Sequence, residues 1–145
     1  MNFTEAKSVA TLNRLLQGEI SAVATYDLAI EQLKDEAVTE LGQNRECHAG
    51  RVEVLTKRIQ ELGGTSELKS GVWVEFTKMI ERGAALVSSD MVLTALEQGE
   101  VIGLKQYRQN LDDLDSRSRI LIDTDLRIAH DHSHARLRDL QLARK

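Results

Sequence analysis

The chain has 145 residues, of which 41% are apolar and 29% charged, and it contains no proline. This length and composition predict one all-α domain over residues 1–145. The net charge of −4 disfavours nucleic acid as a partner, and Cys47 as the only cysteine excludes an intrachain disulfide. With no signal peptide and no membrane-spanning apolar run, we expect no membrane partner and a cytoplasmic location.

Two long helices are predicted in the first half of the chain from apolar residues at alternating steps of three and four. The first seam has the members Val9, Leu12, Leu16, Glu19, Val23, Tyr26, Ile30 and Leu33. The second has the members Val38, Leu41, Arg45, His48, Val52, Leu55, Ile59 and Leu62. Gly63-Gly64 is typical of a helix end. Glu19, Arg45 and His48 are thus expected on interior faces.

The segment from Gly63 to Ser89 is long enough to cross the length of a helical bundle. A short amphipathic helix is predicted within it from Val72 to Val87. Its apolar stripe consists of Trp73, Phe76, Ile80, Ala84 and Val87.

Two further long helices complete the chain. The third is predicted from about Asp90, with Leu93, Leu96, Glu100, Leu104, Tyr107 and Leu111 in its seam. The fourth is predicted from near Ser116 or Ser118, with Leu121, Leu126, His130, His134, Leu137 and Leu140. Short turns at 34–37 and 112–115 predict two antiparallel hairpins. Joined by one long crossover, they predict an up-down-down-up four-helix bundle in which the first and third helices are antiparallel.

A short repeat links the first and third helices. Gln17-Gly18-Glu19 is followed by Tyr26, and Gln98-Gly99-Glu100 is followed at the same spacing by Tyr107. A helical glycine and a buried carboxylate are each costly, so their repetition indicates a function. We expect the two glutamates to share one interior site, as in carboxylate metal centres of helical bundles. The glycines predict close approach by the crossover helix or a second subunit, or a π-bulge.

These residues resemble an uncharacterised bacterial group within the ferritin-like superfamily. The resemblance rests on the run from Leu12 to Glu19 with Tyr26, the His48 to Leu62 seam, the Ser70 to Trp73 crossover, and Gln98-Gly99-Glu100 with Gly103 and Tyr107. It implies a ferritin-like bundle in which glutamates of the first and third helices face histidines of the second and fourth. By that correspondence the implied ligands are Glu19, His48, Glu100 and His134.

The pattern departs from a full di-iron site in two places. Ferritin-like di-iron sites carry a glutamate three residues before the histidine, but Arg45 stands in that place on the second helix. On the fourth helix Asp131 precedes His134 by three residues. Counting helical rise from the turns places His130 or Asp131 closer to the level of Glu100 than His134. We therefore expect the fourth helix to contribute two of these three residues.

Three functions fit the sequence. The first is a metal protein holding one or two Fe or Mn ions, because carboxylates mixed with imidazoles suit these ions. The second is a metal-free structural or stress-associated interaction module, in which Glu19, Arg45, His48 and Glu100 form a charge-compensated layer. The third is a bundle that binds an organic small molecule. We expect a homodimer, and the reaction and substrate stay open.

Overall fold

The computed structural model describes residues 1–33, 37–83 and 88–144, and within these ranges it is all-helical, without a β-strand. The helices are α1 (Phe3–Leu33), α2 (Val38–Glu61), α3 (Val74–Glu81), α4 (Ser89–Gln106), α5 (Ser116–Leu121) and α6 (Arg127–Ala143). A 3₁₀ turn spans Leu111–Asp113, and a π-helical turn, Ile122–Leu126, joins α5 to α6. In the described ranges, no helix combines the length and hydropathy that crossing a membrane requires.

Local signals in the sequence explain where the helices begin and end. At the start of α1, Asn2 and Glu5 exchange side-chain to backbone hydrogen bonds of 2.8 and 3.1 Å, a capping box. After α2, Gly63 adopts a positive φ of 79°. The N–H of Gly64 then donates to the carbonyl of Ile59, which closes the helix end. The Ser88 hydroxyl caps α4 by accepting from the Met91 N–H.

The long helices pack in pairs that run in opposite directions. α1 contacts both α2 and α4, and α6 contacts the same two helices. Tyr26 bonds to Glu100 while Tyr107 bonds to Glu19, so α4 runs backwards along α1. Ion pairs of Arg144 with Asp90 and of His134 with Glu97 show the same relation between α6 and α4.

Two apolar clusters enclose a polar layer between them. The first includes Tyr26, Leu33, Leu41, Phe76, Val92, Leu93, Leu96 and Leu137. The second includes Leu12, Leu16, Leu55, Ile59, Tyr107, Ile122 and Leu126. Full burial of one such side chain stabilises the fold by about 1.5–3 kcal/mol. The clusters therefore provide the free energy that keeps costly polar groups inside, and they close the layer on both sides.

The crossover segment is held by a ladder of polar side chains on α1. The ladder consists of Asn13, Gln17, Ser21 and Thr25, each four residues after the last. Asn13 bonds to Thr65 and Glu67, Gln17 bonds to Glu67, Ser21 bonds to Ser70, and Thr25 bonds to Trp73. Residues four apart lie on one face of a helix, so the ladder fixes the crossover parallel to α1.

The crossover helix is shorter than predicted. It spans Val74–Glu81 instead of beginning at Val72, and Trp73 is its N-terminal flanking residue. Phe76 and Met79 are its buried residues, whereas Ile80, predicted in the stripe, is 36% exposed. Ala84 and Val87, the rest of the predicted stripe, lie outside the described residues.

The prediction that Arg45 faces the interior of α2 is wrong. Arg45 lies near the surface, where its Nε donates to Asp27 at 3.0 Å and its Nη1 to Glu46 at 2.9 Å. Asn44 and Arg51 are the buried polar residues of this face beside His48. Because its ion pairs lie at the surface, the Arg45 charge stays hydrated. This explains why the uncharged Asn44, and not Arg45, is buried on the inner face of α2.

The last helix differs from the predicted seam at its start. Its N-cap is Asp115, which accepts from the N–H of Ser118. The π-helical turn inserts one extra residue, so Ile122 is buried in place of the predicted Leu121. After the turn the inward face contains His130, Ser133 and Leu137.

Candidate metal centre

Four side chains from four helices meet in the polar layer. Glu19 comes from α1, His48 from α2, Glu100 from α4 and His130 from α6, and none is more than 2% exposed. Glu19 and His48 lie in the middle part of their helices, Glu100 lies past the middle of α4, and His130 lies in the first turn of α6, just after the π-helical turn. The layer therefore lies away from bulk water, where electrostatic interactions are strong and unpaired charges are costly.

His48 stands between the two carboxylates. Its Nδ1 lies 2.5 Å from Glu19 Oε2, and its Nε2 lies 2.7 Å from Glu100 Oε1. Burial disfavours the charged imidazole, but the Glu19 and Glu100 carboxylates outweigh burial and raise the pKa of His48 to about 9. As an imidazolium it donates to both carboxylates at neutral pH.

The two tyrosines of the repeat bond crosswise. The Tyr107 hydroxyl donates to Glu19 Oε1 at 2.7 Å, and the Tyr26 hydroxyl donates to Glu100 Oε1 at 2.5 Å. Each tyrosine thus serves the glutamate of the other helix, because the helices are antiparallel. Burial, with the carboxylate beside each, raises both tyrosine pKa values well above the ordinary range. Both remain proton donors at neutral pH.

Arg51 completes the environment of Glu19. Its Nε donates to Glu19 Oε1 at 3.0 Å, and its Nη2 lies 2.8 Å from His48 Nδ1. Burial opposes ionisation of Glu19, but the charges of His48 and Arg51 and the His48 bond outweigh it and lower the pKa of Glu19 to about 2. Two carboxylates therefore face two cations in this layer.

The side of Glu100 near His130 is not satisfied. Glu100 Oε2 and His130 Nδ1 are buried without a hydrogen-bond partner and lie 3.4 Å apart. Burial lowers the pKa of His130 despite the nearby carboxylates, so its imidazole is neutral. Gly103 permits this placement, because a Cβ at that position would overlap the His130 ring. A neutral imidazole and a free carboxylate oxygen are groups that ligate metals.

The layer contains a group that could hold a metal ion. Glu19, His48 and His130 each offer one ligand atom, and these atoms lie within 4.8 Å of one another. Glu100 adjoins the group through His48 and His130. Sequence reasoning anticipated these four residues but missed Arg51, although its position three residues after His48 puts both on one helical face.

The structure leaves two of the expected residues outside the cluster. Asp131 is exposed on α6. His134 pairs with Glu97 through a contact of 3.0 Å near the surface, where its side chain is 17% exposed. One turn of α6 thus separates His130, inside the layer, from His134, outside it.

Comparison with known proteins gives one family-level finding. The family model described as domain of unknown function DUF2383 matches residues 7–113. This span contains Glu19, His48 and Glu100, whereas His130 lies beyond it. No curated protein and no solved structure matches the chain.

Proposed function

Since the chain belongs to the DUF2383 family, whose description leaves its function open, we propose from the site itself that it binds one divalent transition-metal ion. The proposed ligands are Glu19, His48, Glu100 and His130. The observation that carries this proposal is the buried pair of unpartnered ligand atoms, Glu100 Oε2 and His130 Nδ1, beside the two other candidate ligands. An ion between them would satisfy both atoms.

Iron or manganese suits this ligand set better than magnesium or calcium. Carboxylate oxygens favour hard ions and imidazole nitrogens favour borderline ones, which together point to Fe(II) or Mn(II) ahead of Mg²⁺ or Ca²⁺. Such an ion supplies Lewis acidity and one-electron chemistry when bound. The residues around the ligands keep their protons: the Tyr26 and Tyr107 hydroxyls donate hydrogen bonds to the carboxylates, and Arg51 stays charged.

Metal binding must displace the extra proton of His48. With that proton, His48 and Arg51 balance Glu19 and Glu100, so the layer is neutral in total. A ligating imidazole is neutral, so a bound ion would take over the positive charge that the extra proton supplies in the metal-free layer. Because the His48 pKa is about 9, affinity should rise about tenfold per pH unit below that value.

A second candidate function follows from the same charge balance. Arg51 and protonated His48 neutralise both glutamates without any ion, which favours a metal-free layer that fixes helix register. In that case the protein acts through its outer faces, as a structural or stress-associated interaction module. The two candidates differ in whether added metal stabilises the fold.

We also propose that the long helices form a ferritin-like up-down-down-up bundle, with α5 and α6 together as its fourth helix and α3 within the crossover. The supporting observations are that α1 and α6 each contact both α2 and α4, and that α4 runs antiparallel to both α1 and α6. A homodimer and a cytoplasmic location stay predictions.

The metal proposal is tested by melting chelator-treated protein with and without Mn(II) or anaerobic Fe(II). An ion that binds only the folded state at one hundred times its Kd stabilises it by about 2.7 kcal/mol. We expect a rise of several degrees in Tm, which Glu100→Gln abolishes. Glu97→Gln, on the same helix but outside the cluster, should retain it. A wild-type Tm that ignores every first-row divalent ion would contradict the metal proposal and favour the metal-free layer.

A further inference from the structure

A cavity of about 240 Å³ connects the polar layer with the surface between α1, α4 and the crossover. Its inner wall includes His48, Tyr107 and His130, and its outer part includes Arg14 and Ile102. Ile102 is 50% exposed, so the cavity opens to solvent at this end, whereas the His48 and His130 side chains at the other end are almost fully buried. At about 30 Å³ per water molecule, this space corresponds to about eight waters or a ligand of similar size.

Arg14 brings an uncompensated positive charge to this cavity. Its two terminal nitrogens donate to the side-chain oxygen of Asn110 at 2.9 and 3.0 Å, in the amide orientation that satisfies both groups. Asn110 carries no charge, and no carboxylate of the described residues forms an ion pair with Arg14. The Arg14 Nε is buried and has no hydrogen-bond partner. Each terminal nitrogen also carries a second N–H besides the one it donates to Asn110, and such paired donors of a planar guanidinium are suited to a carboxylate.

We propose that this cavity binds a small monocarboxylate, with the carboxylate on Arg14 and the body of the ligand extending toward the polar layer. A single negative charge is expected because it matches the single positive charge of Arg14 in the cavity wall. A short hydrocarbon body is expected because Ala22, Trp73 and Ile102 contribute apolar surface to the wall. This inference rests on Arg14 and the cavity, and it does not require a bound metal.

The test uses the full chain and sodium salts of acetate, propionate and butyrate as probes, with sodium chloride at equal ionic strength as the blank. We expect the carboxylates to bind by calorimetry and to raise Tm, and the uncharged propionamide and butyramide to do neither. Arg14→Gln should weaken binding by about ten- to hundredfold, the loss expected for a hydrogen bond to a charged group. Arg117→Gln, which changes an exposed arginine elsewhere, should leave binding unchanged.

Two further measurements keep the result decisive if Arg14→Gln folds poorly. Ile102→Trp at the exposed rim narrows the cavity without changing Arg14, and it should also weaken carboxylate binding. The Mn(II)-induced rise in Tm should persist in Ile102→Trp, which separates this inference from the metal proposal. Equal binding of amides and carboxylates, unchanged affinity in both variants, or no binding of any probe by the wild type would overturn it.

Discussion

The two halves of the polar layer have the same sequence pattern but different surroundings. Around Glu19 both carboxylate oxygens have partners: Oε1 accepts from Tyr107 and Arg51, and Oε2 lies against His48. Around Glu100 only Oε1 is bonded, to Tyr26 and His48, while Oε2 faces His130 without a hydrogen bond. We call these the closed half and the open half.

The difference shows how one repeat can serve two purposes. A carboxylate that is paired with a buried arginine is held in one position and strongly ionised, so it organises the layer. A carboxylate with a free oxygen beside a neutral imidazole keeps coordination capacity. The closed half therefore holds the layer in position and contributes Glu19 to the candidate site, and the open half contributes the two unpartnered ligand atoms, Glu100 Oε2 and His130 Nδ1.

The largest expected difference between the halves is in stability. Glu19→Gln leaves Arg51 buried without a charged partner, which should cost about 3–5 kcal/mol. Glu100→Gln removes the charge beside His48 but strands no arginine, so it should cost about 1–3 kcal/mol. Urea unfolding of the chelator-treated proteins at one pH measures both values. Equal costs, or a larger cost for Glu100→Gln, would remove the distinction between closed and open halves.

The pH dependence of stability tests the charge of His48, which joins the halves. Its pKa is about 9 in the folded state and 6.5 in the unfolded state. A raised pKa contributes stability that is complete below pH 6.5 and is lost as pH rises through 9, by about 3 kcal/mol.

The Glu19 pKa is lowered from 4.5 to about 2, so its contribution is present above pH 4.5 and is lost as pH falls toward 2. Without metal, this layer should therefore contribute most between pH 4.5 and 6.5. Unfolding of wild type and His48→Gln across both ranges isolates the His48 effect. If the two proteins lose stability in parallel between pH 6.5 and 9, His48 is not the imidazolium described here.

The glycines that precede the two glutamates offer a smaller test of the same asymmetry. A Cβ at Gly99 would overlap the Trp73 ring, whereas one at Gly18 would meet only the flexible Gln106 amide, at 2.8 Å. Gly99→Ala should therefore cost about 1–3 kcal/mol by overpacking. Gly18→Ala should be nearly neutral, because the gain in helix propensity of about 1 kcal/mol offsets the shift of Gln106.

Gly50→Ala is a control for propensity alone, since no atom beyond the glycine's immediate surroundings lies within 4 Å of the added Cβ. We expect it to stabilise the fold by about 0.5–1 kcal/mol. Thermal melts of the three variants give the order directly. A Gly99→Ala protein as stable as Gly50→Ala would mean that Trp73 does not pack against α4 as described.

Much of the helical pattern could be predicted from the sequence because apolar spacing determines which face is buried. Leu12, Leu16, Leu55 and Ile59 occupy the expected faces. The polar ladder on α1 was not predicted, although its spacing of four is visible, because polar residues at that spacing also fit a solvated face. The π-helical turn at Ile122–Leu126 was missed too, since one extra residue in a helical turn does not change the amino-acid composition of the segment.

The candidate site was anticipated in part. The repeat identified Glu19 and Glu100 because burying a carboxylate is costly, and two buried carboxylates in the same pattern indicate one shared interior site. Arg45 was wrongly predicted inside and Arg51 was missed, although each lies three residues from His48. The surface pair of Arg45 with Asp27 of α1 is a tertiary contact that the sequence does not show. The choice between His130 and His134 depends on the π-helical turn and on Gly103, which are tertiary features.

Calorimetric titration of Mn(II) into three chelator-treated proteins tests the central claim most directly. We expect one ion per wild-type chain. The measured binding enthalpy should become more exothermic in buffers of high ionisation enthalpy, because the buffer takes up the proton that His48 releases. Loss of a residue that only hydrogen-bonds to a metal ligand typically lowers affinity about 10- to 100-fold, and His130→Gln should lower it by more than that. His134→Gln, one turn away, should bind as the wild type does. Equal affinity in all three proteins, or no binding by the wild type, would contradict a metal centre at the open half.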